Sequence, residues 1–212
     1  MQGSYFYIAK VTDNQDEDGL NRIKVTTQYK EEAVSYWLPY LSASAGNGVG
    51  FSSLPDIDDQ VLVLAMGNSR ENQVVIGSFW NENFHPPKTE ENADADLNGD
   101  GKNSLSFVKS KSSNMIILDD SEGKEKIQLI ASGGKSRIDF DLENELLSME
   151  SDKNISVSAK GNISIQTEED IEINFQKSLN IETDNFNVKA NKEINIETSK
   201  DMTFNGSGIA LN

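Results

Sequence analysis

From about residue 147 onward, apolar residues come in pairs split by one polar position, and the pairs recur with a period near eight. Leu147 pairs with Met149, Ile155 with Val157, Ile163 with Ile165, Ile171 with Ile173 and Leu179 with Ile181. Phe186 with Val188, Ile194 with Ile196, Met202 with Phe204 and Ile209 with Leu211 continue the series. Their first members are eight residues apart, except for steps of seven at Leu179 to Phe186 and Met202 to Ile209. An i, i+2 spacing puts both side chains on one face of an extended strand. A helix needs apolar positions at three- and four-residue steps, which are absent here. The residues inside the pairs, such as Ser156, Ser164, Glu172, Asn180 and Asn195, are polar and point the other way. Turn formers and charges, such as Lys160-Gly161-Asn162 and Thr183-Asp184-Asn185, lie between the pairs. This pattern predicts a β-type solenoid of short strands joined by polar turns. One unit cannot cover its own stripe. Two arrangements can: three chains wound about a common axis with their stripes inward as a trimer core, or a single-chain parallel β-helix in which three octads make one turn.

The first 80 residues read differently. Segments 5–11, 22–29, 35–41, 60–66 and 73–80 alternate or form short apolar runs. The connections Asp16-Glu17-Asp18-Gly19, Ala45-Gly46-Asn47-Gly48 and Met66-Gly67-Asn68-Ser69 have turn chemistry. About five short strands with glycine-rich turns predict a small closed barrel. No helical period appears, so the expected class is all-β.

Composition narrows the function. The chain has no cysteine and one histidine, His85, which removes thiolate chemistry and most histidine-dependent chemistry within one chain. Net charge is −16 and no basic footprint is visible, so a nucleic-acid partner is not expected. The strongest apolar run, 61–66, is far shorter than a membrane span, and the N-terminal residues lack the pattern of a signal peptide. The chain is expected to be made in the cytoplasm. Adjacent acids such as Asp119 and Asp120 point to opposite faces of a strand, which is poor geometry for a general acid and base. No nucleophile motif or phosphate loop is present, so the protein is not expected to be an enzyme and no cofactor is expected. Asp96, Asn98 and Asp100 open a sequence like a calcium loop, but its twelfth position is Phe107 where a glutamate is required. Segment 88–104 is read as an acidic linker. Tyrosine and tryptophan are absent beyond Trp80, which argues against a sugar-stacking groove on a monomeric solenoid binding module.

The order of motifs then carries a resemblance. Val11-Thr12-Asp13-Asn14 and Asp18-Gly19-Leu20-Asn21-Arg22-Ile23-Lys24-Val25 are followed by Trp37-Leu38-Pro39 and Gly46-Asn47-Gly48-Val49-Gly50-Phe51. Leu54-Pro55-Asp56-Ile57-Asp58-Asp59-Gln60-Val61 and Val75-Ile76-Gly77-Ser78-Phe79-Trp80 complete the set. In this order they resemble the OB-fold domain of the phage baseplate assembly protein V and VgrG-like central spike family, and the octads resemble the β-helix that follows it. The resemblance implies an OB-fold barrel (1–87), a linker (88–104) and an intertwined trimeric β-helix needle (105–212), with residues 114–129 as its first rungs. It also implies a cell-puncturing spike that joins a tail tube and baseplate hub to the tip and makes transient mechanical contact with a target membrane. Such a spike is assembled into a phage tail, a tailocin or a type VI secretion particle. The chain starts almost at the barrel, which favours the phage-tail or tailocin branch. Its last residues lack the histidines of iron-binding tips, so a separate PAAR-type protein is the expected cap.

Overall fold

The computed structural model describes residues 3–27, 34–67, 72–89 and 102–208. Two compact units divide the chain, Met1–Ser156 and Val157–Asn212.

The first unit opens with a barrel. Its strands are β1 (Tyr5–Asp13), β2 (Arg22–Thr27), β3 (Leu38–Pro39), β4 (Ala45–Gly46), β5 (Val49–Gly50), β6 (Gln60–Ala65) and β7 (Gln73–Ser78). The main sheet runs β3-β2-β1-β6-β7 with antiparallel neighbours, while β4 and β5 form a separate small hairpin. The outer strands meet through a parallel bridge between Tyr40 and Val75, and Leu41 N donates to Val75 O at 2.8 Å. The sheet therefore curls until its edges nearly close, which protects them from stray pairing. Irregular register between Val11 and Asp13 in β1, and between Leu62 and Val63 in β6, supplies the local bends that such tight curvature requires. Alternation in the strands fills the interior: Ala9 and Val11, Ile23 and Val25, Leu38, Val61 and Val63, and Val75 are all buried. Tyr7, Tyr40 and Leu54 pack against this cluster.

The β1–β2 connection is tied by one carboxylate. Asp16 accepts from the backbone N–H groups of Asp18, Leu20 and Arg22, and from Arg22 Nε and Nη2. Gly19 and Asn21 take positive φ there, 66° and 60°. Arg22 fills the space among these acids and also pairs with Asp18 at 2.6 Å.

A second sheet follows in the same unit. Strands β8 (Leu105–Lys109), β9 (Met115–Asp119), β10 (Lys126–Ile130), β11 (Ser136–Asp141) and β12 (Leu146–Ser151) form an antiparallel meander in chain order. Residues 114–129, read from the sequence as opening rungs of a needle, make the hairpin β9–β10 within this sheet. The reason is local: the Ser121–Lys124 turn, with Gly123 at φ 71°, brings two five-residue strands back on one another.

Candidate functional site

Two surfaces carry apolar side chains that their own chain leaves uncovered. The first lies in the meander, whose register sorts every residue to one of two faces. Across one face run the rows Ser106–Leu118–Ile127–Phe140–Leu147 and Val108–Ile116–Leu129–Ile138–Met149. Of these ten positions nine are apolar and none is charged. Eight of the nine are 42–60% exposed, and Ile138 is half-buried.

The opposite face of the same sheet holds the charges. Lys126 pairs with Asp141 at 3.6 Å, Arg137 pairs with Asp139, and Gln128 Nε2 donates to Asp139 Oδ1 at 2.8 Å. Burial alone would raise the Asp139 carboxyl, but the hydrogen bonds from Arg137 and Gln128 outweigh it and hold the group below its ordinary value. Toward β8 and β9 this face turns apolar, with Leu105, Ile117 and Ile130 buried and Phe107 and Met115 packed beside them.

The second surface is the octad stripe. Bends recur at residues 152–153, 160–161, 168–169, 176–177, 184, 191–192, 199–200 and 207, with no helix or strand between them. The spacing is the octad of the sequence, and it shortens to seven between 184 and 191. Every described residue from 152 to 208 is exposed. Among the described residues, the last backbone–backbone hydrogen bond along the chain is donated by Asp152 N to Lys135 O at 2.9 Å.

The residues expected to form a core therefore form none within one chain. Ile155 and Val157, Ile163 and Ile165, Ile171 and Ile173, and Leu179 and Ile181 are all exposed. So are Phe186 and Val188, Ile194 and Ile196, and Met202 and Phe204, and the whole set runs from 43% at Met202 to 76% at Ile165. Leu147 and Met149, the first pair, sit in β12 and are exposed as well. The physical reason is that a single extended segment has no second layer: consecutive octads do not stack into rungs, so nothing of the same chain lies over either member of a pair. Among the described residues the segment presents a periodic apolar stripe on a backbone without ladder hydrogen bonds.

Sequence reading found this stripe but missed part of it. Phe175, 53% exposed, follows Ile171 and Ile173 at the same two-residue step and belongs with them. The meander face was missed altogether, although the apolar run Met115–Leu118 and the alternation Ile127-Gln128-Leu129 mark two of the strands that build it. Ile209 and Leu211, the last expected pair, lie outside the described residues, as do the calcium candidates Asp96, Asn98 and Asp100. The described residues contain no cluster of three or more acidic or histidine side chains arranged to hold a metal. Asp16 and Asp18, in the β1–β2 connection, have Arg22 as their cation.

The near-closed barrel, its β1–β2 hairpin and its closing strand have a counterpart among known families. Residues 7–80 match the family model of the Type VI secretion system/phage-baseplate injector OB domain. The barrel is similar to that injector OB domain. No curated protein matches the chain. The injector OB domain belongs to a structural family, which connects this chain with the baseplate and spike components of injection systems. No described helix is long and apolar enough to cross a membrane.

Proposed function

We propose that this chain is the subunit of a homotrimeric central spike in a contractile injection system. Its injector OB domain forms the collar toward the tail tube and baseplate hub, and its octad segment forms the puncturing needle. The observation that carries this reading is the stripe itself, exposed apolar pairs on a backbone that makes no ladder bonds among the described residues from 153 to 208, downstream of a barrel similar to an injector OB domain. Buried backbone groups need partners, and exposed strand edges seek them. Three copies winding together answer both demands. Ladder bonds form between chains, and Ile155, Ile163, Ile171 and their partners turn to a common axis. The Asn, Glu, Lys and Ser positions between them then make the outer surface. Work is done mechanically: sheath contraction drives a stiff prism through an envelope, and stiffness comes from many short ladders closed upon one another. A tip protein of PAAR type at the far end belongs to the same reading. So does the phage tail or tailocin as the parent particle, with a type VI secretion spike as the alternative.

The test is solution mass. Light scattering after size exclusion is expected to give three times the 23.4 kDa of the chain, in an early-eluting particle that resists SDS until heated. A stable monomer overturns the spike.

A further inference from the structure

Where β6 begins and β7 ends, antiparallel pairing sets Asp59 and Gln60 beside Ser78, Phe79 and Trp80, with Phe79 N donating to Gln60 O at 3.3 Å. The chain then turns back. Asn81 N donates to Phe84 O at 2.9 Å, and Asn81 Oδ1 accepts from the N–H groups of Asn83 and Phe84. Asn81 Nδ2 reaches across to Gln60 Oε1 at 2.9 Å and pins this turn to β6. Phe84 is thereby brought against the strand ends, where it closes a pocket of about 230 Å³ with the first five residues. We propose that this pocket receives the guanidinium group of an arginine side chain presented by a partner protein. The pocket belongs to the barrel alone and stands apart from the spike reading.

Its walls are aromatic. Phe79, Trp80 and Phe84 are 37%, 62% and 44% exposed, so ring surface is left to water, and ring faces attract cations. Its acid is unmatched. Asp58 nearby pairs with Lys10, and Asp56 pairs with Lys111. Asp59 has no cation among the described residues; Asp56 N donates to its Oδ2 at 2.7 Å, and its Oδ1 has no described partner. Its size suits the end of a side chain, since pockets for free small molecules run from about 300 to 1,000 Å³. A planar guanidinium stacks on aromatic faces, meets a carboxylate with directed N–H groups and is less strongly hydrated than an ammonium. The described arginines of the chain are already engaged, Arg22 by Asp16 and Asp18 and Arg137 by Asp139, which points to a foreign occupant.

The chain has two tryptophans, and Trp37 already carries a cation, Lys24 Nζ at 4.2 Å from its ring centre, so it serves as the control. The full chain is labelled with fluorotryptophan, and the Trp80 fluorine resonance is assigned from Trp80→Phe. A capped tripeptide with arginine between two glycines is then titrated to about 10 mM. The Trp80 resonance is expected to shift saturably while that of Trp37 stays. The citrulline tripeptide, of the same shape without the charge, is expected to bind at least about tenfold more weakly. Asp59→Asn, which keeps an acceptor for Asp56 N, and Phe84→Ala are each expected to weaken arginine binding by a similar factor, with an unchanged Trp37 resonance reporting a folded barrel. Citrulline bound as tightly as arginine, arginine bound equally by Asp59→Asn and wild type, joint movement of both resonances, or no shift of Trp80 over the whole titration overturns the site. So does a Trp80 shift with N-acetylglucosamine and none with arginine, which would make the pocket a sugar platform.

Discussion

Arg22 Nη2 lies 2.6 Å from Asp16 Oδ1 and 2.6 Å from Asp18 Oδ2, so one guanidinium bridges two acids of the β1–β2 loop. The Asp16 side chain is only 4% exposed, and hydrogen bonding to Arg22 holds its carboxyl well below the ordinary value of 3.8. A carboxyl depressed on folding adds stability above its unfolded value, and that stability is lost as pH falls through the folded value. Asp16→Asn is therefore expected to lower the barrel's melting temperature by a few degrees at pH 7, and the difference from wild type is expected to shrink from about pH 4 downward. Thermal unfolding followed by circular dichroism at pH 7 and pH 3 checks both the sign and the trend.

Ile23 is fully buried at the centre of the barrel. Truncation removes its contacts and leaves a cavity that the curled sheet cannot collapse to fill, so Ile23→Ala is expected to cost about 2–5 kcal/mol. Leu20, in the loop before it, is 63% exposed, and Leu20→Ala is expected to change stability by less than about 0.5 kcal/mol. Urea unfolding of the two variants separates these outcomes.

Gly50 has φ 151°, and a Cβ added there would sit 2.5 Å from Ser44 O, the acceptor of the Phe51 N–H. Gly48, across the same hairpin, has φ 72° but open space around it. Gly50→Ala must move backbone, whereas Gly48→Ala meets only the left-handed penalty of about 1–2 kcal/mol. The first is expected to be the more destabilising and to speed amide exchange at Phe51; equal effects would mean that the hairpin absorbs the clash.

Ile171 stands in mid-stripe, 55% exposed in its own chain. If the stripes face a common axis, Ile171→Asp buries three charges together and is expected to leave a monomer, while Glu172→Gln, one residue on, leaves the mass unchanged. Light scattering on both proteins decides it. An Ile171→Asp protein of wild-type mass would show that the stripe faces elsewhere.

The barrel was legible because its strands alternate and its turns carry glycine and aspartate at the required places. Strands 5–11, 60–66 and 73–80 were expected within a few residues of β1, β6 and β7. The third strand was expected over 35–41 and is only Leu38–Pro39, because Pro39 lacks the N–H to continue a ladder. Asp16 as the tie of the first hairpin could not be read, since its five donors come together only when the loop closes. Residues 105–151 were the weak point. A meander and a solenoid both use short alternating strands, and what separates them is whether a turn such as Ser121–Lys124 reverses the chain. The octad stripe was legible from spacing alone, yet spacing could not say what covers it; the exposure of Ile163 and Ile165 in the folded chain sharpens that question.

A strictly periodic stripe has a weakness that its regularity conceals. A chain displaced by eight residues against its neighbours would again set apolar pair beside apolar pair, at almost no energetic penalty, and the misaligned particle would be hard to distinguish from the right one. The two seven-residue steps, at Leu179 to Phe186 and Met202 to Ile209, break that degeneracy. They would work like notches on a key: in a chain slipped by eight, Phe186 falls opposite position 178 and Ile209 opposite position 201, each one residue short of the pairs at Leu179 and Met202.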